Sequence, residues 1–392
     1  MNSISPAKIL NSVEMLAQLV AFPSVSRDSN LPLIDWVEDY LQPFAPRCRR
    51  TYNDEGTKAN LFAAIGPDVA GGVVLSGHSD VVPVDGQDWH TDPFKLTEKD
   101  GLLYGRGTSD MKGFSAVFLS RLPTLDIDKM KRPLYLALSY DEEVGCIGID
   151  RMVDDAVEHF PKPDFAIIGE PTTMRVVRAH KSINCFRTVV TGKAAHSSQP
   201  HRGAGAILAA ARIIEHLDRI GRGRRADAKD SGCEPPWTTV QVGTVSGGTA
   251  VNILPSHCEF LWEYRGLPHE DPEAILRDMQ NFIDTQVLPD LQEFAPEASV
   301  ETSPIAIVPP LMPDPQARAE DWVRSLNGVR EGGSGEVSFA TEAGSFQRAG
   351  ISSVVCGPGS IDQAHQPNEF IDPTELERCE AMVDEVYTHL CS

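Results

Sequence analysis

The sequence predicts an α/β protein with a mostly parallel sheet and helices on both faces of that sheet. Short apolar runs at 72–77, 134–140 and 165–170 are followed much later by another at 351–357. Runs of this length and composition are typical of strands that are buried on both sides. Helical patterns such as residues 112–122 lie between them, and this alternation favours parallel strands joined by crossover helices.

A different pattern over residues 183–289 predicts a smaller α+β, ferredoxin-like domain inserted into the first. It begins with an alternating strand, continues with a long Ala/Ile/Leu-rich helix at 203–220, and then has two strands and a helix at 271–287. The pattern of the first domain resumes afterwards. We therefore expect a catalytic domain of residues 1–182 and 290–392 that this insert interrupts.

Composition and charge disfavour several classes of function. The chain has 392 residues, which at about 150 residues per domain suggests two or three domains. Its 35 Lys and Arg against 56 Asp and Glu give a net charge of −21, which disfavours nucleic acids and anionic membranes as partners. No apolar run approaches the ~18 residues of a membrane-spanning helix, and residues 1–22 resemble an ordinary helix without a secretion signal. Eight scattered cysteines are typical of reduced thiols, so we expect a cytoplasmic protein.

Carboxylates and histidines follow the predicted strands. In an open α/β sheet, residues just beyond the carboxyl ends of the strands converge on one ligand-binding edge. Oxygen and nitrogen donors without thiolates suit one or two borderline divalent ions such as Zn²⁺. The residues in question are His78, Asp80, Asp110, Asp141, Glu142, Glu143, Glu170 and His365.

Each of these residues, taken alone, has a simpler interpretation. Asp110 could cap a helix that begins at Met111, residues 141–143 could form a solvated loop, and a histidine after a strand is commonly a turn residue. The combination is harder to explain in this way. Burying these carboxylates together costs on the order of several kcal/mol of folding free energy unless cations neutralise them. A metal site is therefore the favoured hypothesis.

An ordered series of motifs resembles the family of co-catalytic zinc metallopeptidases and deacylases, which includes aminoacylases, succinyl-diaminopimelate desuccinylases and acetylornithine deacetylases. The series covers nearly the whole chain, and the resemblance implies a metal-dependent amide hydrolase. The motifs are SGHSDVVPV (76–84), GRGTSDMKG (105–113), SYDEEVG (139–145), GEPT (169–172), KAAHSS (193–198), GTVSGGTAVNILP (243–255) and AHQPNE (364–369).

The resemblance implies two divalent metal ions per subunit, with Zn²⁺ expected first and Co²⁺ as the alternative. His78 and Glu170 would hold one ion, and Glu143 and His365 would hold the other. Asp110 would bridge both ions, and a cis peptide bond would follow it. Two ions about 3.5–4 Å apart activate a water molecule and polarise the amide carbonyl.

The resemblance also implies roles for residues around the ions. Glu142 matches the general base, which takes a proton from water and later delivers it to the leaving amine. Asp80 matches the carboxylate that orients the imidazole of a ligand histidine. Within the insert, His196 matches a histidine that hydrogen-bonds to the oxyanion, and in dimeric relatives it comes from the partner subunit. Asn252 and Arg265 match positions that contact the substrate carboxylate. A homodimer formed through the insert is therefore expected.

Three segments, at 169–182, 259–268 and 339–370, resemble the acetylornithine deacetylases in particular. Within the last segment, Glu342 is a candidate to bind the distal ammonium of the substrate, and Gly357 and Gly359 are candidates to offer N–H groups to its carboxylate. Gln366 departs from the lysine that is common at its position. A broader N-acyl-amino-acid hydrolase or a succinyl-diaminopimelate desuccinylase stays open as an alternative. An inactive metal-binding scaffold is disfavoured because the base and all five ligand residues are present.

Overall fold

The computed structural model describes residues 10–44, 46–333 and 335–392. The α-helices are α1 Ser12–Val20, α2 Leu31–Leu41, α3 Lys112–Arg121, α4 Ile149–His159, α5 Ala206–Ala226, α6 Ala274–Phe282, α7 Leu288–Gln292, α8 Arg318–Arg324, α9 Ala343–Arg348 and α10 Pro373–Cys391. The strands are β1 Arg47–Tyr52, β2 Ala59–Ile65, β3 Val73–His78, β4 Thr97–Lys99, β5 Leu102–Tyr104, β6 Leu134–Ser139, β7 Phe165–Pro171, β8 Ala179–His180, β9 Ile183–Thr191, β10 Thr239–Gly247, β11 His257–Arg265, β12 Ser299–Val308, β13 Glu336–Val337, β14 Ser352–Gly357 and β15 Phe370–Ile371.

The described chain forms two compact units. Of the described residues, the first unit comprises those within Met1–Ala179, Leu311–Glu336 and Thr341–Ser392, and the second comprises His180–Pro310 and Val337–Ala340. The predicted helix at 1–22 is observed as α1, and residues 1–9 lie outside the described part. None of the described helices is long and apolar enough to cross a membrane.

The first unit is built on a six-stranded sheet of order β1-β2-β6-β3-β7-β14. Strands β6, β3, β7 and β14 run parallel, whereas β1 and β2 add antiparallel pairs at one edge. The four parallel strands are the four apolar runs of the sequence, and they are buried because helices cover both faces of the sheet. The predicted fold class is confirmed.

The register of the parallel strands brings their carboxyl ends to one level. His78, the last residue of β3, lies opposite Ser139, the last residue of β6. On the other side of β3, Ser76 lies opposite Ile168 of β7, so that Glu170 comes two residues later, as His78 does. The sheet therefore presents side chains from three adjacent strand ends along one edge.

The second unit is a four-stranded antiparallel sheet of order β10-β11-β9-β12. Its sequence order is strand, helix, two strands, helix, strand, which is the ferredoxin-like arrangement. Helices α5 and α6 contribute Ile213 and Met279 to a core that includes Phe186, Phe260 and Trp262.

The predicted end of the insert at residue 289 is wrong, because the unit continues to Pro310. Strand β12 pairs with β9 and completes the sheet. It is an edge strand whose side chains are mostly exposed or half-buried, and its register shifts between Pro304 and Ala306. A polar edge strand with an internal proline gives little of the apolar pattern by which a strand is predicted.

Candidate metal centre

Two groups of three potential metal ligands share the carboxylate of Asp110. One group is His78, Asp110 and Glu170, and the other is Asp110, Glu143 and His365, and within each group the ligand atoms lie within 4.8 Å of one another. His78 Nε2 is 3.1 Å from Asp110 Oδ1, whereas His365 Nε2 is 3.3 Å from Asp110 Oδ2. The two oxygens of Asp110 therefore face different histidines, as a carboxylate that bridges two cations would require.

The ligand atoms reach this place by two routes. His78 and Glu170 belong to β3 and β7, and Glu143 follows β6 closely, so the parallel sheet positions these three. Asp110 and His365 come from loops, and the peptide bond between Asp110 and Met111 is cis. The ligand set thus combines three side chains held by the sheet with two held by loops.

The charges in this cluster fit divalent cations. Burial raises the pKa of Glu143 to about 7 and that of Glu170 well above its usual value, and the nearby Asp110 adds to both shifts. Glu170 Oε1 is buried and accepts no hydrogen bond from the described residues. Hydrogen bonds to Asp110 and Glu143 raise the pKa of His365 to about 10. The raised pKa values mean that the buried carboxylates ionise less readily than usual and that the imidazole beside them retains a proton. A metal ion would replace these protons, neutralise the carboxylates and bind both kinds of group.

Glu142 lies beside the ligands but belongs to neither ligand group. Its carboxylate is buried, and burial raises its pKa well above the usual value. The thiol of Cys146 donates a hydrogen bond to Glu142 Oε1 at 3.2 Å, and burial keeps that thiol protonated by raising its pKa. A carboxylate that has a raised pKa and forms no ion pair with the described residues is suited to exchange a proton.

Asp80 has a wider structural role than the sequence predicts. The closest partner of His78 Nδ1 is the backbone carbonyl of Asp80 at 2.9 Å, and the Asp80 carboxylate is farther away at 3.6 Å. That carboxylate accepts hydrogen bonds from the Ser26 hydroxyl at 2.7 Å and from the backbone N–H groups of Glu142 and Glu143. Asp80 therefore holds the loop that carries the candidate base as well as the imidazole of His78.

The N–H groups of Gly357 and Gly359, which were predicted to bind the substrate carboxylate, donate to groups of the protein itself. The N–H of Gly357 donates to Thr172 Oγ1, and the N–H of Gly359 donates to a carboxylate oxygen of Glu375, both at 3.2 Å. Close packing at Gly357 and the backbone conformation at Gly359 favour glycine at both positions. A Cβ at Gly357 would lie 2.0 Å from the carbonyl oxygen of Gly169, and Gly359 has φ of +87°.

The remaining predicted residues are divided between the two units. Glu342 immediately precedes α9 in the first unit and is 1 % exposed, and its Oε1 accepts no hydrogen bond from the described residues. His196 and Asn252 are neighbours in the second unit, where the N–H of Ser197 donates to the Asn252 carbonyl. Arg265, also in that unit, pairs with Glu263 two residues before it on β11. Among the described residues, Glu342, His196, Asn252 and Arg265 belong to neither ligand group.

Sequence reasoning missed the residues that hold the two ligand loops, namely Glu369, Arg106 and Gln87. Glu369 and Arg106 form a buried ion pair of 2.7 Å between the motifs that carry His365 and Asp110. Glu369 lies in the motif AHQPNE and Arg106 in GRGTSDMKG, and these positions were the only indication in the sequence that the two residues belong near the site. Their pairing across more than 260 residues was not visible in the chain.

Removing metal should make the stability of the protein fall as the pH rises from about 5 to 7. Glu143 and Glu342 have folded pKa values of about 7, above the ordinary 4.5, and those of Glu142 and Glu170 are also raised. Each group binds a proton more tightly in the folded state, so its contribution to stability is lost as the pH rises through that range. Burial lowers the pKa of His180 to about 4 and also lowers that of His389, and both act in the opposite direction, but they are two groups against four.

Thermal unfolding of chelated protein between pH 5 and 7, with and without added Zn²⁺, would test this expectation. The melting temperature of chelated protein should decrease across the range, and the increase caused by Zn²⁺ should grow, because metal replaces protons on the same groups. A Zn²⁺ effect that is independent of pH would contradict the assignment of these carboxylates.

Comparisons with known proteins give one consistent result. The family described as peptidase family M20/M25/M40 matches residues 74–389. An acetylornithine deacetylase of Myxococcus xanthus is 36% identical over 382 residues, covering 96% of this chain and 96% of its own. An acetylornithine deacetylase of Photorhabdus laumondii is 33% identical, covering 97% of each chain. Among solved structures, an M20 family metallo-carboxypeptidase of Sulfolobus solfataricus superposes with a TM-score of 0.73 at 17% identity, covering 97% of this chain and 99% of its own, which is a likeness of fold.

Proposed function

The chain belongs to peptidase family M20/M25/M40, and from that premise we propose that it is a metal-dependent amide hydrolase that converts N²-acetyl-L-ornithine to L-ornithine and acetate. The observation that carries the chemistry is the pair of three-ligand groups that share Asp110, with the buried Glu142 beside them. The observation that supports the substrate is the near full-length similarity to acetylornithine deacetylases. This reaction is a step of arginine biosynthesis.

His78, Asp110 and Glu170 would hold one divalent ion, and Asp110, Glu143 and His365 would hold a second. When bound, two such ions supply Lewis acidity to the amide carbonyl and lower the pKa of a water molecule. We propose Zn²⁺ as the first candidate and Co²⁺ as the alternative, because carboxylate and imidazole donors without thiolates suit both.

Glu142 would move the proton in this reaction. Its carboxylate would take a proton from the attacking water and then deliver it to the amine that leaves as the C–N bond breaks. The Cys146 thiol and the loop contacts of Asp80 hold the Glu142 side chain and backbone in place. One residue thus serves first as a base and then as an acid, with no net change in its protonation over the cycle.

His196 would stabilise the negative charge on the carbonyl oxygen in the transition state. The backbone N–H of Ser198 donates to His196 Nδ1 at 3.2 Å, so in the neutral imidazole the proton resides on Nε2. The ring is exposed, which leaves its Nε2–H available to an oxyanion. We expect His196→Ala to lower kcat by about 10²–10³-fold with a smaller change in KM, as measured by steady-state kinetics. An unchanged kcat would contradict this role.

The distal ammonium of ornithine would be recognised by Glu342. The supporting observation is a buried carboxylate whose Oε1 accepts no hydrogen bond from the described residues, and whose charge also raises the pKa of Glu142. We expect Glu342→Gln to raise KM for acetylornithine by about tenfold or more, since a charge-assisted hydrogen bond is lost, and to change KM for acetylmethionine little. Equal changes for both substrates would refute the assignment.

The substrate carboxylate would be bound by Arg265 and Asn252. Arg265 can form two parallel hydrogen bonds to a carboxylate, but it makes this kind of contact with Glu263 in the structure, at 3.0 and 3.3 Å. Binding therefore requires the guanidinium to exchange Glu263 for substrate. A KM for acetylornithine that is the same in wild type and Arg265→Ala would contradict this part of the proposal.

We further propose a homodimer formed through the second unit, in which His196 would serve the site of the partner subunit. Large apolar side chains are exposed on this unit, which is typical of a surface that another molecule covers. They include Ile207, Leu208, Val245, Val251 and Ile253. Sedimentation equilibrium should give twice the subunit mass, and a single-subunit mass at micromolar concentration would contradict the dimer. We place the enzyme in the cytoplasm, because the described part of the chain shows no disulfide among its cysteines.

The substrate assignment is tested by a panel of kcat/KM values on protein reloaded with Zn²⁺ or Co²⁺ after chelation. The panel contains acetylornithine, acetylmethionine, succinyl-diaminopimelate and a dipeptide. Acetylornithine should be preferred by about tenfold or more, the range that a few side-chain contacts give. Preference for the succinyl compound or the dipeptide would overturn the substrate, and no turnover of any of them would overturn the proposed enzyme.

A further inference from the structure

One buried carboxylate outside the ligand set holds the backbone of the loop that carries Asp110. Glu369 is 1 % exposed, and both of its oxygens accept hydrogen bonds. Oε1 accepts from the N–H groups of Ser109 at 2.8 Å and Asp110 at 3.0 Å. Oε2 accepts from the N–H of Gly107 at 3.0 Å and from Arg106 Nη1 at 2.7 Å. Four donors thus converge on one carboxylate, and three of them belong to the backbone that leads to the shared ligand.

Arg106 extends this contact to the loop that carries His365. Its buried guanidinium donates to the carbonyl of Gln366 at 3.3 Å and to Gln87 Oε1 at 2.6 Å, and it lies over the ring of Trp89. Gln87 in turn donates from Nε2 to the carbonyl of His365 at 3.0 Å. A continuous chain of hydrogen bonds therefore joins the backbone of the two ligands that come from loops.

We propose that Glu369, Arg106 and Gln87 are positioning residues that set the affinity of the Asp110–Glu143–His365 group for a divalent cation. His365 depends on such support, since its side chain is 54% exposed and its loop is neither helix nor strand. The inference rests on the proposed function only in taking these side chains as metal ligands. Residues around a metal site that hold its ligands commonly change metal affinity by about 10–100-fold when they are replaced.

Gln87 separates this role from a general structural one. The Gln87→Ala change removes the contacts to the His365 carbonyl and to Arg106, but it leaves the Glu369 contacts to Ser109 and Asp110 in place. It should therefore weaken only the group that includes His365. Glu369→Gln should weaken both groups, because an amide nitrogen cannot accept hydrogen bonds and the backbone of the shared Asp110 is released.

The experiment is a titration of chelated, full-length protein with Zn²⁺ in the presence of a chromophoric chelator, which resolves two binding steps without using activity. Gln87→Ala should leave one of the two binding steps as in the wild type and weaken the other about 10–100-fold. The matched control is Gln347→Ala. The Gln347 side chain hydrogen-bonds to the backbone carbonyl and N–H of Met312 through its two amide atoms. Its replacement should leave both binding steps unchanged.

Identical binding curves for Gln87→Ala and the wild type would overturn the inference, and so would equal weakening of both steps together with a lower melting temperature of the chelated variant. If Glu369→Gln does not fold, the half-buried Gln87 still decides the question. A wild type that binds two Zn²⁺ ions but does not hydrolyse acetylornithine would contradict the proposed function alone. A wild type that binds fewer than two would overturn this inference as well.

Discussion

Replacing Glu142 by Gln should lower kcat for acetylornithine by about 10²–10⁴-fold, with little change in KM or in the amount of metal bound. Glutamine keeps the shape of the side chain and an oxygen that can accept from Cys146, but it cannot take a proton from water. The variant would thus remove proton transfer and leave the ligand groups intact, since Glu142 belongs to neither group.

Steady-state kinetics and metal analysis on the same preparation would test this expectation. Glu98→Gln is a matched control, because Glu98 is an exposed glutamate on β4 of the same unit and should leave kcat unchanged. A Glu142→Gln variant with normal kcat would exclude Glu142 as the base. Loss of metal from the variant would instead show that Glu142 contributes to metal binding, and would contradict the separation of roles between Glu142 and Glu143.

The part of the site that the sheet builds was predictable from the sequence. His78 and Glu170 stand at the ends of continuous apolar runs, and such runs are the strongest signal of parallel strands. Parallel strands bring their carboxyl ends to one edge, so the meeting of these two residues follows from fold class alone. The acidic run 141–143 also follows a strand, but its position does not tell which residue binds metal.

The structure separates these three acidic residues by their partners. Asp141 has φ of +58°, and its carboxylate forms an ion pair with Lys58 at 2.6 Å. This carboxylate belongs to neither ligand group. Glu143 lies 2.9 Å from His365, and Glu142 meets Cys146. Lys58 lies more than 80 residues before Asp141, so no local pattern predicts this pairing.

Contacts between distant loops were the part that the sequence could not supply. A carboxylate is needed at Glu369 because backbone N–H groups donate to it, and these N–H groups come from a loop more than 250 residues earlier. In the same way, the close approach of Gly357 to Gly169 explains why residue 357 is a glycine, whereas the sequence alone suggested a binding role for it. Motif resemblance identifies which residues are important, but only the folded contacts tell whether they touch a substrate or other residues.

Replacing Asp110 should have a larger effect on metal binding than replacing any other single ligand, because both ligand groups contain it. We expect Asp110→Asn to lower bound Zn²⁺ from two ions per subunit toward none and to lower kcat/KM by about 10⁴-fold or more. His365→Ala is the comparison, since it removes a ligand from one group and should leave one ion bound. Metal analysis after dialysis against a weak chelator would measure both.

Melting temperatures of the wild type and of Asp110→Asn show whether the variant has only lost its metal or has a misfolded site. Without metal, Asp110 raises the pKa of Glu143 and Glu170, so replacing it by a neutral amide relieves repulsion among the carboxylates while removing its contacts with His78 and His365. The chelated variant should therefore stay folded. Adding Zn²⁺ should raise the melting temperature of the wild type far more than that of Asp110→Asn. A variant that binds two ions with wild-type affinity would show that Asp110 does not bridge the two groups, and the dinuclear assignment would then fail.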